Sequence, residues 1–389
     1  MRPVDSLVDA RSAYVHIPFC SSVCPYCDFA VVAGADHLTE RYANAVVAEI
    51  EMSPSFGPLD SVYFGGGTPS HVPPSTLGRI LSSIEKRHGL DDGAEVSLEA
   101  NPEDFNEQRA VELRRLGFNR VSFGAQSFDE AVLVALGRRH RADQITSSVT
   151  AARNAGMLSV SVDLIFGTPV ETAGSWDETL SSAIRSDPDH TSCYALTVEP
   201  GTPLNRAVVA GAAAPDPDVQ ADRYEAAEVR LREAGYERYE VSNWARPGHE
   251  CRYNLTVWAQ GQYEAYGNGA HRFRDGVRSR NVRRIEAYLS EIELGRRPIA
   301  GAEPVSGWET EIDRLFVGLR RAEGVSDGPG VQSLIGSEEG RMLREAGVIE
   351  ISDGRLRVRR PLLTDAVHRA VLGIEAPVGW VEPTTADNV

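Results

Sequence analysis

Lysine is almost missing from this 389-residue chain: Lys86 is the only one, and arginine supplies the rest of its 40 basic residues. An anionic ligand is therefore expected to meet arginine forks or backbone amides, not ammonium groups. Positive charge as a whole is short, with 56 acidic residues giving a formal net charge of −16. That balance argues against a broad nucleic-acid-binding face, and no nucleic-acid partner is expected. Cysteine is scarce too. Five in the whole chain, with no basic and apolar leader in Met1-Arg-Pro-Val-Asp-Ser-Leu, exclude a secreted disulfide framework. No apolar run approaches the ~20 residues that span a bilayer, so no transmembrane segment is expected. What remains is the composition of a soluble protein, 42% hydrophobic and 25% charged. The length suits one large domain and a smaller one. The expected location is the cytoplasm, where thiols stay reduced.

Three of the five cysteines stand together in Cys20-Ser-Ser-Val-Cys24-Pro-Tyr26-Cys27, after an apolar run ending Tyr14-Val-His-Ile-Pro-Phe. Three thiolates at C-x3-C-x2-C can hold three irons of a cubane cluster, leaving the fourth iron open to a chelating ligand. A structural zinc would need a fourth ligand, for which His16 on the preceding strand is the nearby candidate.

From Tyr14 onward, short apolar runs alternate with amphipathic stretches, which is the signal of repeated βα units. Strands are expected at 13–17, 61–64, 95–99, 120–123, 160–165 and 191–197, and helices at 37–51, 74–88, 106–116, 142–155 and 175–186. Glycine closes helices before the next strand, as at Gly117 and Gly156. Six units predict an α/β fold with an incomplete, TIM-like (β/α)6 barrel, whose functional groups should gather where strands run into loops. Polar or glycine-rich chemistry does stand at five successive strand ends. It comprises the cysteines, Gly65-Gly66-Gly67-Thr68-Pro69, Glu99-Ala-Asn101, Gly124-Ala-Gln126 and Asp163 with Gly167-Thr168-Pro169. Glu99, leaving a buried strand, needs a cation or donor. Arg139 and His140 read as a cationic helix C-terminus, and Cys193 as an inert core thiol.

The segments Tyr14–Cys20, Phe64–Pro69, Glu99–Glu103, Ser122–Gln126 and Asp163–Pro169 resemble the radical S-adenosylmethionine (SAM) superfamily. Within it they resemble the subgroup of oxygen-independent coproporphyrinogen III oxidase (HemN) and the heme chaperone HemW. The likeness runs from about residue 13 into the C-terminal region. It implies that Cys20, Cys24 and Cys27 ligate a [4Fe–4S] cluster. It also implies that Tyr14, Tyr26, Gly66, Gly67, Thr68, Glu99, Gln126, Arg138 and Asp163 lie around SAM, which a reduced cluster cleaves to a 5′-deoxyadenosyl radical. The oxidase has a fourth cysteine where this chain has Phe29, and the N-terminus is short. Both features resemble the chaperone branch, which implies heme as cargo and acceptor hemoproteins as partners, with room for transient contact with a membrane protein. The alternatives are the oxidase itself, decarboxylating coproporphyrinogen III to protoporphyrinogen IX, and a radical SAM methyltransferase.

One motif departs. Where the chaperone branch has H-N-x-x-Y-W, this chain has Tyr253-Asn254-Leu-Thr-Val257-Trp258. The expected axial histidine is replaced by Tyr253, which could serve as tyrosinate; His249, Cys251 and His271 are nearby alternatives. Beyond residue 309, helices at 311–320 and 338–346 and a hairpin around Asp353-Gly354 predict a small winged-helix-like α+β domain that packs on the barrel. The expected division is barrel 1–245, connecting segment 246–300 and C-terminal domain 301–389. The first 12 and last dozen residues are expected to be loose.

Overall fold

The computed structural model describes residues 11–380. The two loose arms expected at the ends fall mostly outside the described residues, although a strand already begins at Arg11.

Period-two alternation on six buried strands builds the centre of the molecule. These are β1 (Arg11–Ile17), β2 (Leu59–Gly66), β3 (Leu90–Ala100), β4 (Arg120–Gln126), β5 (Ser159–Phe166) and β6 (His190–Ala195). They pair in parallel in chain order. On one face Val62, Phe64, Val96, Leu98, Val121, Phe123, Val160 and Val162 are buried under the helices. Each such side chain contributes about 1.5–3 kcal/mol. The alternate positions are polar, among them Tyr63, Ser97, Glu99, Arg120, Ser122, Asp163 and Ser192, and they line the barrel interior.

The helices between them are α1 (Thr39–Met52), α2 (Pro74–His88), α3 (Glu107–Arg115), α4 (Ala142–Asn154) and α5 (Ala173–Arg185). On α1, Tyr42, Ala43, Val46, Glu49 and Ile50 are buried, the i, i+3, i+4, i+7 stripe of a helix laid on a sheet. Asn106 caps α3 by accepting from the Arg109 amide, and Thr172 caps α5 by accepting from the Ser175 amide. Gly117 follows α3 at φ +105°, which lets the chain turn straight into β4.

The sheet does not stop at six strands. β7 (Glu237–Glu240) and β8 (Asn243–Ala245) extend it antiparallel beyond β6. On the other side β9 (Gln262–Tyr266) pairs parallel with β1. Beyond it lie β10 (His271–Arg274), β11 (Val277–Asn281) and β12 (Ile299–Pro304), giving one twelve-stranded sheet.

The C-terminal region has its own core around Leu315, Val331, Leu334, Leu356 and Val371. After α6 (Arg252–Trp258), helices α7 (Trp308–Gly318), α8 (Pro329–Gly336), α9 (Glu338–Glu345) and α10 (Thr364–Leu372) surround a three-stranded sheet. Its hairpin turns at Asp353 (φ 53°) and Gly354 (φ 68°), the paired left-handed conformation expected of Asp-Gly. The stretch between the two helices expected in this region contains α8. Pro329 starts that helix, and Val331 and Leu334 bury it. The region rests on the barrel through Arg278 to Asp313, Arg320 to Glu240 at 3.6 Å and the Ala322 amide to the Tyr239 carbonyl. Arg355 and Arg359 are tied to Glu323 and Glu350 of the same region. No helix among the described residues is long and apolar enough to cross a membrane.

Candidate functional site at the barrel mouth

The ends of β1 to β6 surround a cavity of about 500 Å³. Cys20, Cys24, Tyr26, Cys27, Gly66, Gly67, Thr68, Glu99, Gln126, Arg138 and Asp163, eleven of the thirteen residues picked out from the sequence, are on its wall. The cysteine loop hangs between two short strands, Phe19–Cys20 and Val32–Ala33, which pair with each other and fix its two ends. All three cysteines are free thiols and partly exposed. Burial pushes the Cys20 thiol up to about 11, partly offset by the Thr68 hydroxyl. Among the described residues no three His, Cys, Asp or Glu side chains gather about a single metal position. His16 is not offered to the cysteines either. Its Nε2 lies 2.9 Å from the Ala30 carbonyl and its Nδ1 3.1 Å from the Tyr14 hydroxyl.

Thr68 and Arg138 both point a donor at cysteine sulfur. The Thr68 hydroxyl is 3.6 Å from Cys20 Sγ, and Arg138 Nη1 is 3.3 Å from Cys24 Sγ. Such donors suit thiolates that carry negative charge, which is the state a metal ligand requires. The glycine turn crosses the loop closely. A Cβ on Gly67 would lie 2.8 Å from the backbone oxygens of Pro18 and Phe19, so only glycine lets β2 pass here. This donor set, with thiolate-directed hydrogen bonds and a glycine cradle, fits an iron–sulfur cluster with an organic ligand beside it.

Deeper in, Glu99 finds donors and, among the described residues, no cation. The Gly66 amide and the Tyr63 hydroxyl each donate to it at 3.0 Å. Burial, then the charge of Asp163, pushes its carboxyl up to about 7 against those donors. Asp163 accepts from Ser122 Oγ at 2.9 Å and is raised by burial. Gln126 sits at φ 65° in a bulge between β4 and β5, and this aims its amide into the cavity.

Two of the residues picked out lie elsewhere. Tyr14 and Tyr253 are not on the cavity wall; they stack on each other and on Tyr63, with ring centroids 5.2–6.3 Å apart. Tyr253 belongs to the helix Arg252–Trp258, which fills the N-terminal end of the barrel and also meets Tyr263. Burial holds its hydroxyl well above the ordinary value, which disfavours the tyrosinate a heme iron would take. Of the other candidate ligands, Cys251 is buried on the cavity floor and His271 is exposed on β10.

The cationic helix end expected at Arg139 and His140 is corrected as well: the preceding helix stops at Ala135. Arg139 lies on the cavity rim, and His140 is buried between the Ala125 carbonyl and Glu103. Tyr63, Ser122 and Asn101 escaped the sequence reading as site residues. Their signal was polar residues at every second position of otherwise apolar strands.

Residues 14–183 match the model of the radical SAM superfamily. The heme chaperone HemW of Synechocystis is 38% identical over 326 residues, covering 81% of this chain and 79% of that protein. The chain belongs to the HemW family. HemW of Mycobacterium tuberculosis is 37% identical over 375 residues, covering 92% of this chain and 94% of its own length. Coproporphyrinogen III oxidase (HemN) of Escherichia coli superposes with a TM-score of 0.82 over 95% of this chain and 92% of its own. At 20% identity that likeness speaks for the fold.

Proposed function

We propose that this chain binds heme and delivers it to acceptor hemoproteins in the cytoplasm, with a [4Fe–4S] cluster and SAM held at the barrel mouth and the porphyrin left chemically unaltered. The observation that carries the reading is the combination of the C-x3-C-x2-C loop, with Phe29 in place of a fourth cysteine, and near-full-length relatives named heme chaperones. Cys20, Cys24 and Cys27 would hold the cluster. Gly66, Gly67, Thr68, Glu99, Gln126, Arg138 and Asp163 would surround SAM, with Tyr26 closing the loop side and Tyr14 supporting from behind. When bound, the cluster supplies one-electron reduction at an open iron. The chain's own part is to exclude water, to meet SAM's amino and hydroxyl groups with Glu99 and Asp163, and to hold the sulfurs through Thr68 and Arg138. We read residues 1–245 as the cofactor barrel, 246–300 as the connecting segment and 301–389 as the C-terminal domain.

The test is anaerobic. The reconstituted protein is mixed with SAM, a reductant and coproporphyrinogen III, and tetrapyrrole mass is followed; in parallel it is loaded with heme and mixed with an apo-hemoprotein. Unchanged porphyrin with heme passing to the acceptor is the expected result. Loss of two carboxyl groups from the porphyrinogen, matched by SAM cleavage, would make it an oxidase.

A further inference from the structure

Two of the donors that reach cysteine sulfur share one support. Asn101 Nδ2 donates to Thr68 Oγ1 at 3.2 Å, and Asn101 Oδ1 accepts from Arg138 Nη2 at 2.5 Å. Thr68 and Arg138 are the groups that donate onward to Cys20 and Cys24. The chain of contacts is therefore an arch from one ligand sulfur to another, with Asn101 at its centre.

We propose that Asn101 is a positioning residue for the cluster, holding two hydrogen bonds on two different ligand sulfurs at once. The polarity of the arch is dictated by chemistry. A guanidinium has only donors, so it must meet Oδ1, which leaves Nδ2 for Thr68. The threonine oxygen accepts that bond, and its single proton is free to go to Cys20. Aspartate could not do this, because its second oxygen would draw the threonine proton away from sulfur. Asn101 is itself fixed: its backbone amide donates to Ser70 Oγ at 3.1 Å, and Pro102 stiffens the chain after it. Arg138 has a further anchor in the Gly124 carbonyl at 2.8 Å, whereas among the described residues no other side chain donates to Thr68. Hydrogen bonds to ligand sulfur stabilise the reduced, more negative cluster. Asn101 thus sets the potential without touching the cluster. The inference rests on the cluster assignment and is independent of heme delivery.

The full chain, reconstituted anaerobically without SAM or heme, is titrated through its reduction midpoint by electron paramagnetic resonance. Asn101→Leu should keep its iron and sulfide and move the midpoint to more negative potential. At the wild-type midpoint the reduced-to-oxidised ratio should fall about tenfold, which is ~59 mV for a one-electron couple. Thr68→Val alone should move it less. Added to Asn101→Leu it should move it little further, because the arch is already broken. A wild-type midpoint and signal in Asn101→Leu would overturn the proposal. So would a lowered melting temperature with an unmoved midpoint, or fully additive shifts in the double variant. Should leucine prevent cluster loading, Asn101→Ala is titrated in its place with the same outcomes. A failed heme-transfer experiment leaves this result standing, and the reverse also holds.

Discussion

At the N-terminal end of the barrel, Glu95 lies 3.7 Å from Arg120 and accepts from the Arg252 amide, while Arg120 also donates to Ser159 and to the His249 carbonyl. At the C-terminal end, Glu99 lies further along the same face of the same strand and has no cation among the described residues; its carboxyl feels Asp163 instead. The residue types are alike, and their surroundings are opposite. One end is closed by the chain itself, with helix Arg252–Trp258 against the strands and Arg320 over the Trp258 ring at 4.5 Å. The other end faces a cavity of about 500 Å³ with three free thiols on its wall. A buried charge marks a binding site when the fold withholds its partner. Where the fold provides the partner, the same charge is a brace.

Substitutions at the two ends should separate these roles. Cys24→Ser should abolish bound iron and sulfide after anaerobic reconstitution. The metal-free protein should unfold within ~0.5 kcal/mol of wild type, because no disulfide is lost. At the closed end, Tyr253→Ala removes a ring stacked on Tyr14 and Tyr63, and should cost about 3 kcal/mol in denaturant unfolding. Its cluster content should stay near wild type; iron loss in this variant would break the comparison. Tyr253→Phe keeps the stack, and its heme spectrum and affinity should match wild type. A changed spectrum would mean that the closed end opens to take heme.

Glu99 gives a pH test. Folding raises its carboxyl from 4.5 to about 7. The wild type therefore keeps this contribution at acid pH and loses about 3 kcal/mol as pH rises from ~4.5 through ~7. In the metal-free protein, the stability of Glu99→Gln relative to wild type should improve by about that amount between pH 5 and pH 8. A difference independent of pH would show that Glu99 is already compensated. A smaller loss of stability is expected of Gly67→Ala, whose Cβ meets the Pro18 and Phe19 carbonyls; it should cost ~1–3 kcal/mol and slow cluster loading.

The six parallel strands and their helices were legible because the helix-facing strand positions are apolar, and because glycine marks the helix ends. The cysteine loop and the five strand-end clusters were legible for a chemical reason: thiols, glycine triplets and buried acids have few alternative uses. The outer strands were not. β11 carries Arg278 and Arg280 and is only half covered, so it offers no apolar run to read. Arg139 was misplaced because a basic cluster after a helical pattern looks the same whether the helix continues or has already ended. Tyr253 was placed by motif, and its burial depended on three rings from distant strands. Asn101 stood in plain view in the sequence, yet its partners Thr68 and Arg138 lie 33 and 37 residues away.

The pairing of β1 with β9 has a consequence for synthesis. β1 carries the cysteine loop at its end, and its second neighbour, Gln262–Tyr266, emerges from the ribosome some 250 residues later. Until then the strand has β2 on one side and a bare edge of amides and carbonyls on the other. Such long-range pairing forms slowly and leaves the nascent edge open to other chains. The cysteine loop thus hangs from the strand that is finished late, and iron supplied before residue 266 is made would meet its thiols on an incomplete sheet.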